Sequence, residues 1–217
     1  MLERLAGIFT SCGAESISII VNERMTDVCE FVAELTKRIN VPVRVVAKST
    51  PSSMHSFFEL SRVMRCEGKF ILTTVDTIFR ASDFAGYVKA FEEQPSQVDA
   101  FMAVTGYVDD EKPLYVAASG ESEMRITAFK DSPDASTDYV SGGIYGLTHK
   151  AFEVLYKCMA TGVTRMRNFQ RALLEDGLDV RAYLFDKIID VDHAGDIEKA
   201  EAFVGGSVSE KLESCQK

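Results

Sequence analysis

Short apolar, β-branched runs alternate with helical patterns through the first hundred residues, and this alternation constrains the fold more than any other feature. The runs that read as buried strands cover residues 16–21, 42–48 and 69–75. A helical pattern precedes the first run, and between the first two runs apolar residues recur at the i, i+3, i+4, i+7 spacing of an amphipathic helix. Because strands joined by helices form parallel sheets with crossover connections, this half of the chain predicts an α/β fold.

From about residue 99 the alternation gives way to successive strands. Apolar runs at 99–107, 113–119, 124–130 and 139–147 follow one another with little but turns between them. Such a series is typical of a mixed or antiparallel edge on a parallel sheet. The predicted fold class is therefore α/β, with three layers and a mixed, mostly parallel sheet flanked by crossover helices.

Length and composition fit one globular domain. The chain has 217 residues, of which 46% are hydrophobic and 26% are charged, and these values are ordinary for a domain with a substantial core. We find no linker, internal repeat or low-complexity block, so we expect a single domain over residues 1–204 and a polar tail over residues 205–217. No run approaches the ~20 apolar residues that cross a bilayer, so we expect no membrane association.

The net charge and the cysteines indicate which binding partners and which cellular compartment to expect. The net charge is −9, and an acidic surface repels phosphodiester backbones, so nucleic acid is not an expected partner. Small anionic substrates remain compatible, because a local cluster of cations or a metal can override the global field. The five cysteines are scattered without a CxxC pair, which favours reduced thiols and a cytoplasmic location.

An aspartate closes one of the buried strands, at Asp76 in ILTTVDTIF. Open α/β sheets bind ligands at the carboxyl ends of their strands, and a carboxylate there can hold a hard cation such as Mg²⁺. Asp76 can equally cap the following turn through its side chain. The residue pattern alone leaves both alternatives open.

Two further aspartates, Asp190 and Asp192, follow an apolar strand in IIDVDHAGDIEKA. Alternation along a strand sends their side chains to opposite faces, so we expect at most one of them to share a site with Asp76. The alternative for Asp192 is that it is only the N-cap of the next helix.

Three other segments carry candidate binding groups. The hydroxyls and amides of Ser52 and Ser53 lie where a strand turns into a helix and can contact a nucleobase or phosphate, although ordinary N-capping explains them too. The paired glycines of SGGIYGL indicate either close approach by a ligand or a β-bulge. Arg165 and Arg167 begin a helical segment and suit a phosphate, the alternative being a solvated face.

Taken in chain order, these segments resemble the sugar-1-phosphate nucleotidyltransferase family, which has the nucleotide-diphospho-sugar transferase (GT-A-like) fold. ILTTVDTIF is similar to the family's strand that ends in aspartate. ITAFKDSP and VSGGIYGL are similar to its "I-x-x-F-x-E-K-P … aGiY" phrase, and IIDVDHAGDIEKA is similar to its "iDiDTpeDl-x-x-A" phrase. The resemblance covers nearly the whole chain, and the motifs occur in family order.

The resemblance implies transfer of a nucleotidyl group from an NTP to a phosphorylated sugar or similar small acceptor, with release of pyrophosphate and with Mg²⁺ as cofactor. Asp76 and Asp192 would be the metal ligands and the catalytic residues, and Asp190 would point elsewhere. Gly143 would lie beside the acceptor, Asp131 would stand at the position of the family's acceptor-binding glutamate, and the Ser52–Ser53 turn would contact the nucleobase.

The chain departs from the family pattern at two places. Ser132 stands where the family has a lysine. The family's opening strand and its G-x-G-x-R … P-K loop have no counterpart, since MLERLAGIF is similar to the helix after that loop. The resemblance therefore implies a sheet whose first strand is missing, and severely impaired catalysis by these 217 residues.

Three interpretations of these departures remain. The residues belong to a longer enzyme, or they form a shortened, non-catalytic module that binds a nucleotide sugar or a partner. The third alternative is a flavodoxin-like binding domain, which explains the first half of the chain but not the strand-rich second half.

Overall fold

The computed structural model describes residues 1–64, 68–108, 110–120 and 123–214, with side chains described as far as Gly205. Its helices are α1 (Leu2–Ser11), α2 (Thr26–Thr36), α3 (Ser53–Ser61), α4 (Ala81–Glu92), α5 (Lys150–Ala160), α6 (Met166–Glu175) and α7 (Ala194–Ser214). Its strands are β1 (Ile17–Val21), β2 (Val43–Ala47), β3 (Lys69–Thr73), β4 (Thr77–Ile78), β5 (Ala100–Thr105), β6 (Tyr115–Ser119), β7 (Arg125–Lys130), β8 (Tyr139–Thr148), β9 (Val180–Phe185) and β10 (Ile189–Asp190).

The main sheet has six strands in the order β3-β8-β5-β9-β7-β6, and the predicted α/β class with a mixed sheet is confirmed. The sheet contains fewer parallel pairings than the alternation of strands and helices predicted. Among the described strands of this sheet, only β5 and β9 pair in parallel. The physical reason is β8, a ten-residue strand that lies between β3 and β5 and runs opposite to both, so that strands of like direction are seldom neighbours.

The strands β1 and β2 form a separate parallel pair, with Ile17 opposite Val43 and Val21 opposite Ala47. In the described part of the chain β1 does not pair with β3, and a cavity of about 540 Å³ separates them. The sheet is therefore interrupted between β1 and β3, which correspond to the predicted strands at 16–21 and 69–75. A smaller antiparallel pair, β4 with β10, completes the strands.

Helices cover both faces of the main sheet and give the predicted three layers. On one face α1 and α4 pack a mostly aromatic core against the sheet, including Leu5, Ile8, Phe84, Tyr87, Phe91 and Phe101. On the other face α3, α5 and α6 pack Met54, Phe57, Leu155, Phe169 and Leu173. All six residues of β5 are buried because this strand has a helical layer on each side.

The closing helix α7 anchors through Ala200 and Phe203, which pack against Ile78 of β4 and Ile189 of β10. It continues to Ser214, so most of the predicted polar tail extends this helix; residues 215–217 lie outside the described part. No helix among the described residues is long and apolar enough to cross a membrane.

The aromatic core depends on a close approach at Gly146 of β8. The hydroxyl of buried Tyr87 donates a 2.6 Å hydrogen bond to the carbonyl of Phe101. A Cβ atom at Gly146 would lie 2.8 Å from the Tyr87 hydroxyl and 2.9 Å from Cδ1 of Phe91. Both rings stack on Phe101, so neither can move without disturbing the layer.

We expect Gly146→Ala to lower the free energy of unfolding by ~1–3 kcal/mol, because overpacking displaces buried rings. Gly7→Ala is the matched control, since Gly7 lies in α1 and an added Cβ there meets nothing within 4 Å. The control should be neutral or stabilising by up to ~1 kcal/mol, as expected for alanine in a helix. Urea unfolding of the three proteins checks this. Equal midpoints for Gly146→Ala and the unchanged protein would contradict the packing described.

Candidate active site

Three carboxylates converge at the end of the sheet. Asp76 lies between β3 and β4, Asp190 ends β10, and Asp192 follows it. One oxygen from each of the three side chains lies within 4.8 Å of the other two. The β4–β10 ladder brings them together, because the amide of Val191 donates a 3.2 Å hydrogen bond to the carbonyl of Asp76.

The approach of Asp76 and Asp192 agrees with the sequence prediction, whereas the prediction that Asp190 points elsewhere is wrong. Alternation holds only inside a strand, and β10 ends at Asp190 after two residues. Asp192 therefore lies beyond the end of the strand, where side chains no longer alternate, and its carboxylate lies near the other two. It is also not the residue directly before α7, since His193 occupies that place and donates its amide to Oδ2 of Asp196 at 3.0 Å.

The cluster concentrates negative charge. Among the described residues, no lysine or arginine forms an ion pair with Asp76, Asp190 or Asp192. Although much of the Asp190 side chain meets solvent, partial burial of its carboxyl group, together with Asp76, Asp192 and Asp110, raises its pKa to about 6. Oδ1 of Asp76 is buried with no hydrogen-bond partner in the described part of the chain.

A cavity of about 320 Å³ adjoins these carboxylates. Asp76 and Asp190 line it, together with the hydroxyl groups of Thr74 and Thr77, whose oxygens are 2.8 Å apart. Three cationic side chains also line it: Lys112, Arg165 and Arg167. The cavity thus presents carboxylates for a cation and basic groups for an anion within one space.

Gly143 lines this cavity, and both interpretations of the paired glycines apply to it. Its φ is +73°, and a Cβ atom there would lie 2.9 Å from Oγ1 of Thr77. Met102 of β5 pairs with Tyr145 of β8, and Val104 pairs with Ser141, so two residues along β5 correspond to four along β8. The strand β8 therefore carries two extra residues in a bulge, and the glycines let its backbone approach the turn before β4.

The predicted nucleobase-contacting turn is only partly in the cavity. Ser53 lines it. Ser52 is not among its lining residues. Its hydroxyl lies 2.8 Å from Nδ1 of His55, at the residue before α3. Ser52 thus has a local role at the start of the helix in this structure.

Asp131 lies outside the cavity lining. Its Oδ1 accepts from Arg171 and from Arg167, each at 2.8 Å. Hydrogen bonds from Arg171 and Arg167 hold the pKa of its carboxyl group below the usual value. Arg167 also donates to the carbonyl of Lys112 at 2.8 Å, so it joins the Asp131 turn to the segment after β5.

Arg165 differs from Arg167 in having no ion-pair partner among the described residues. It precedes α6 with φ +72° and ψ 140°, a backbone conformation that residues other than glycine rarely adopt. Such strained positions cost ~1–3 kcal/mol and cluster at functional sites. The side chain of Arg165 therefore lines the cavity as an unpaired cation on a strained backbone.

Sequence reasoning missed several lining residues. Asp110 and Lys112 belong to a polar loop after β5, where only the local run of charges in DDEK signals a site. Gln170 is buried in α6, and its Oε1 accepts a 3.0 Å hydrogen bond from Ser141 of β8. A glutamine on the apolar face of a helical pattern was the available signal for this contact.

Comparisons with known proteins agree with this architecture. The sequence model of the nucleotidyl transferase family matches residues 1–205. None of the curated protein sequences matches the chain.

Solved structures share the fold at low sequence identity. The inositol-1-phosphate CTP transferase from T. maritima has a TM-score of 0.72 and 19% identity, with 94% of this chain and 84% of that chain covered. A Bacillus anthracis protein, provisionally assigned as a glucose-1-phosphate thymidylyltransferase and solved in complex with sucrose, has a TM-score of 0.75 and 18% identity over 93% and 80%. A UDP-glucose pyrophosphorylase complexed with UDP-glucose has a TM-score of 0.70 and 17% identity over 93% and 85%.

At these identities the structural likeness establishes the fold alone. The family assignment comes from the sequence model, whose match extends over nearly the whole chain, and the carboxylate cluster lies within the matched residues. The chain is a member of the nucleotidyl transferase family.

Proposed function

We propose that the candidate active site serves transfer of a nucleotidyl group from an NTP to a phosphorylated sugar or similar small acceptor, with release of pyrophosphate and dependence on Mg²⁺, and that catalysis by these 217 residues alone is severely impaired. The convergence of Asp76, Asp190 and Asp192 beside a cavity with basic lining residues carries the proposal. Solved relatives act on or bind inositol phosphate, sugar phosphates and nucleotide sugars according to their names. The acceptor class therefore includes phosphorylated sugars and polyols.

The three aspartates fit a hard divalent cation. Carboxylate oxygens are the ligands that Mg²⁺ prefers, and Oδ1 of Asp76 is a buried acceptor with no protein donor among the described residues. When bound, Mg²⁺ would offset the charge of the phosphates that meet at the reacting phosphorus. Asp76 and Asp192, the catalytic residues in this proposal, would hold it together with Asp190.

The reaction forms a bond between an acceptor phosphate oxygen and the α-phosphorus of the NTP, and it breaks the bond from that phosphorus to the bridging oxygen of pyrophosphate. The protein has only to bring two anions together in line and to stabilise the charge that develops. No covalent enzyme intermediate is required for this direct transfer.

The basic side of the cavity is suited to the acceptor. Arg165 has its guanidinium group unpaired in the described structure, so we assign it the acceptor phosphate. Gly143 and Ser53 both line the cavity; in this proposal the Gly143 backbone would contact the acceptor and Ser53 would contact the nucleobase. Asp131 and Arg167 then act as a pair that fixes the segment at Lys112 rather than as free substrate ligands.

The cytoplasmic location and small-molecule partners belong to the same proposal. The described cysteines Cys12, Cys29 and Cys158 are free thiols, as expected in a reducing compartment. The acidic net charge disfavours nucleic acid as a partner.

A non-catalytic module of the same fold is the second candidate function, and one observation favours it. The sheet is interrupted between β1 and β3, and no segment of these 217 residues is similar to the family's glycine-rich loop. A chain of this kind would bind a nucleotide sugar or a partner at the cavity without turnover.

We expect the 217-residue chain to release pyrophosphate at a rate close to that of its Asp76→Asn variant, with any NTP and phosphorylated acceptor. Missing amides and cations around the triphosphate cost several kcal/mol of transition-state stabilisation, at ~1.4 kcal/mol per tenfold in rate. A coupled pyrophosphate assay measures this. Turnover by the unchanged chain more than ~1000-fold above the variant would show that the nucleotide site needs no such loop.

Asp190→Asn should have opposite effects on stability and on metal binding. Above pH 6 the Asp190 carboxylate is charged and repels its neighbours, so its removal should stabilise the metal-free protein by up to ~1 kcal/mol after screening by water. The gain should shrink as the pH falls from 6 to 4 and be small at pH 4, because over this range the carboxyl group becomes protonated in the folded state while it stays largely charged in the unfolded state. At pH 8, Mg²⁺ should raise the melting temperature of the unchanged protein more than that of the variant.

Asp138→Asn is the control for this experiment, because it removes the same charge outside the cluster. Thermal unfolding with and without Mg²⁺ at pH 4 and pH 8 gives all the comparisons. An equal Mg²⁺ shift in the unchanged protein and the Asp190→Asn variant would rule out Asp190 as a ligand.

Arg165 is tested by separating its charge from its backbone strain. Arg165→Gly and Arg165→Ala should each weaken binding of a phosphorylated acceptor by about 10- to 100-fold, as expected for the loss of a charged hydrogen bond. Arg165→Gly should nevertheless be more stable than Arg165→Ala by ~1–2 kcal/mol, because only glycine relaxes at φ +72°. Calorimetry and urea unfolding measure the two effects. Arg38→Ala, at an exposed ion pair with Glu3, is the control for binding.

A further inference from the structure

One buried carboxamide lines the candidate active site and has no role in the reaction proposed above. Gln170 of α6 is only 2% exposed, and it lines the cavity of about 320 Å³. Glutamine is seldom buried so fully, because its two donor hydrogens and its acceptor oxygen all lose water on burial. A glutamine buried beside a cavity therefore needs partners, either from the protein or from the molecule that the cavity holds.

The protein supplies a partner for only one end of this carboxamide. Oε1 of Gln170 accepts a 3.0 Å hydrogen bond from the hydroxyl of Ser141 in β8. Among the described residues, no group accepts a hydrogen bond from Nε2 of Gln170. Nε2 is nevertheless not sealed inside the protein, as Oδ1 of Asp76 is. The small exposed part of Gln170 therefore presents a hydrogen-bond donor to the cavity that this residue lines.

Packing of α6 against the sheet does not require this donor. Phe169 and Leu173 are fully buried and anchor the helix in the apolar core. The hydrogen bond from Ser141 adds one polar link between helix and strand, and it uses only the oxygen of the carboxamide. A buried donor without a partner costs free energy, so a structural role explains Oε1 and leaves Nε2 for a ligand.

The position of Gln170 along α6 indicates which part of a ligand it would meet. Arg165, to which we assign the acceptor phosphate, precedes this helix, and Gln170 is five residues later. At ~1.5 Å per residue, Gln170 lies roughly 7.5 Å further along the helix axis. Met166 and Arg167 between them also line the cavity. A phosphate held by Arg165 would therefore leave the rest of the acceptor beside Gln170.

We propose that the carboxamide of Gln170 binds a hydroxyl group of the acceptor. It thereby makes the site selective for phosphate esters of sugars or cyclic polyols over esters without hydroxyl groups, such as phosphocholine. A hydroxyl oxygen accepts from Nε2, whereas a trimethylammonium group has no acceptor atom and would leave Nε2 buried without a partner. This inference rests on the proposed function, because it takes the cavity to be the acceptor site.

Calorimetric titration of the 217-residue chain tests the proposal without turnover. Glucose 1-phosphate and inositol 1-phosphate are the ring phosphates, phosphocholine is a phosphate ester without a hydroxyl group, and inorganic phosphate measures the phosphate contact alone. Gln170→Met is the test variant, since methionine has a similar length and no amide. Gln94→Met is the matched control, because Gln94 lies outside the cavity lining and its Nε2 donates to the carbonyl of Ala90 at 3.2 Å.

We expect the unchanged chain to bind at least one of the ring phosphates more than ~10-fold more tightly than phosphocholine. Gln170→Met should weaken binding of that ring phosphate by about 10- to 100-fold, as expected for the loss of one hydrogen bond to a buried donor. Its affinities for phosphocholine and inorganic phosphate should stay within about twofold of the unchanged chain, and Gln94→Met should change none of the four. Disturbed packing of α6 would instead lower all four affinities together.

Three results would overturn the proposal. One is an equal effect of Gln170→Met on the ring phosphate and on phosphocholine, including no effect on either. Another is tighter binding of phosphocholine than of both ring phosphates by the unchanged chain. A third is a loss confined to CTP, titrated in the same way, which would place Gln170 beside the nucleotide.

Failure of the proposed function has a different signature in the same titrations. If the unchanged chain bound neither inorganic phosphate nor any of the three esters, the cavity would not be an acceptor site, and both proposals would be wrong. If phosphate and the esters bound but Gln170→Met did not separate them, only the role of Gln170 would be wrong.

Discussion

The short antiparallel ladder between β4 and β10 is the constraint on which the candidate active site depends. It aligns Ile78 with Ile189, and both side chains are buried against α7. These apolar contacts hold the two chain segments together, whereas the carboxylates at their ends repel one another at separations within 4.8 Å. The free energy of these apolar contacts therefore keeps Asp76, Asp190 and Asp192 close when no cation is bound. A cation that binds the three carboxylates would remove their repulsion and so stabilise the folded protein.

The long strand β8 links this ladder to the rest of the sheet. It pairs with β3, β5 and β6, so it carries the register of most of the sheet. Its bulge brings the Gly143 backbone against Thr77 at the start of β4, and its Ser141 side chain donates to Gln170 of α6. Glycines inside a strand weaken it, but pairing along both edges of β8 offsets the loss. The strand β8 therefore determines which strands are neighbours in the sheet, and its residues also line the cavity.

Sequence reasoning predicted those features that depend on local pattern. The helix and strand order follows from hydrophobic periodicity, and the proximity of Asp76 and Asp192 follows from their positions at strand ends. The direction of Asp190 could not be predicted, because β10 ends after two residues only through its pairing with a distant segment. The antiparallel position of β8 between β3 and β5 is likewise set by contacts far apart in the chain. Asp131 was identified by motif, yet its contacts depend on arginines from a helix that packs beside it.

The open edge of β3 and the carboxylate cluster lie on adjoining parts of the chain. Residues 69–72 of β3 line the cavity of about 540 Å³, and Asp76 follows three residues after the last residue of β3, Thr73. A strand paired on one edge, with half-buried side chains, has a lower local free energy of opening than a strand paired on both edges. Local opening of β3 would therefore also loosen the position of Asp76, three residues further along the chain.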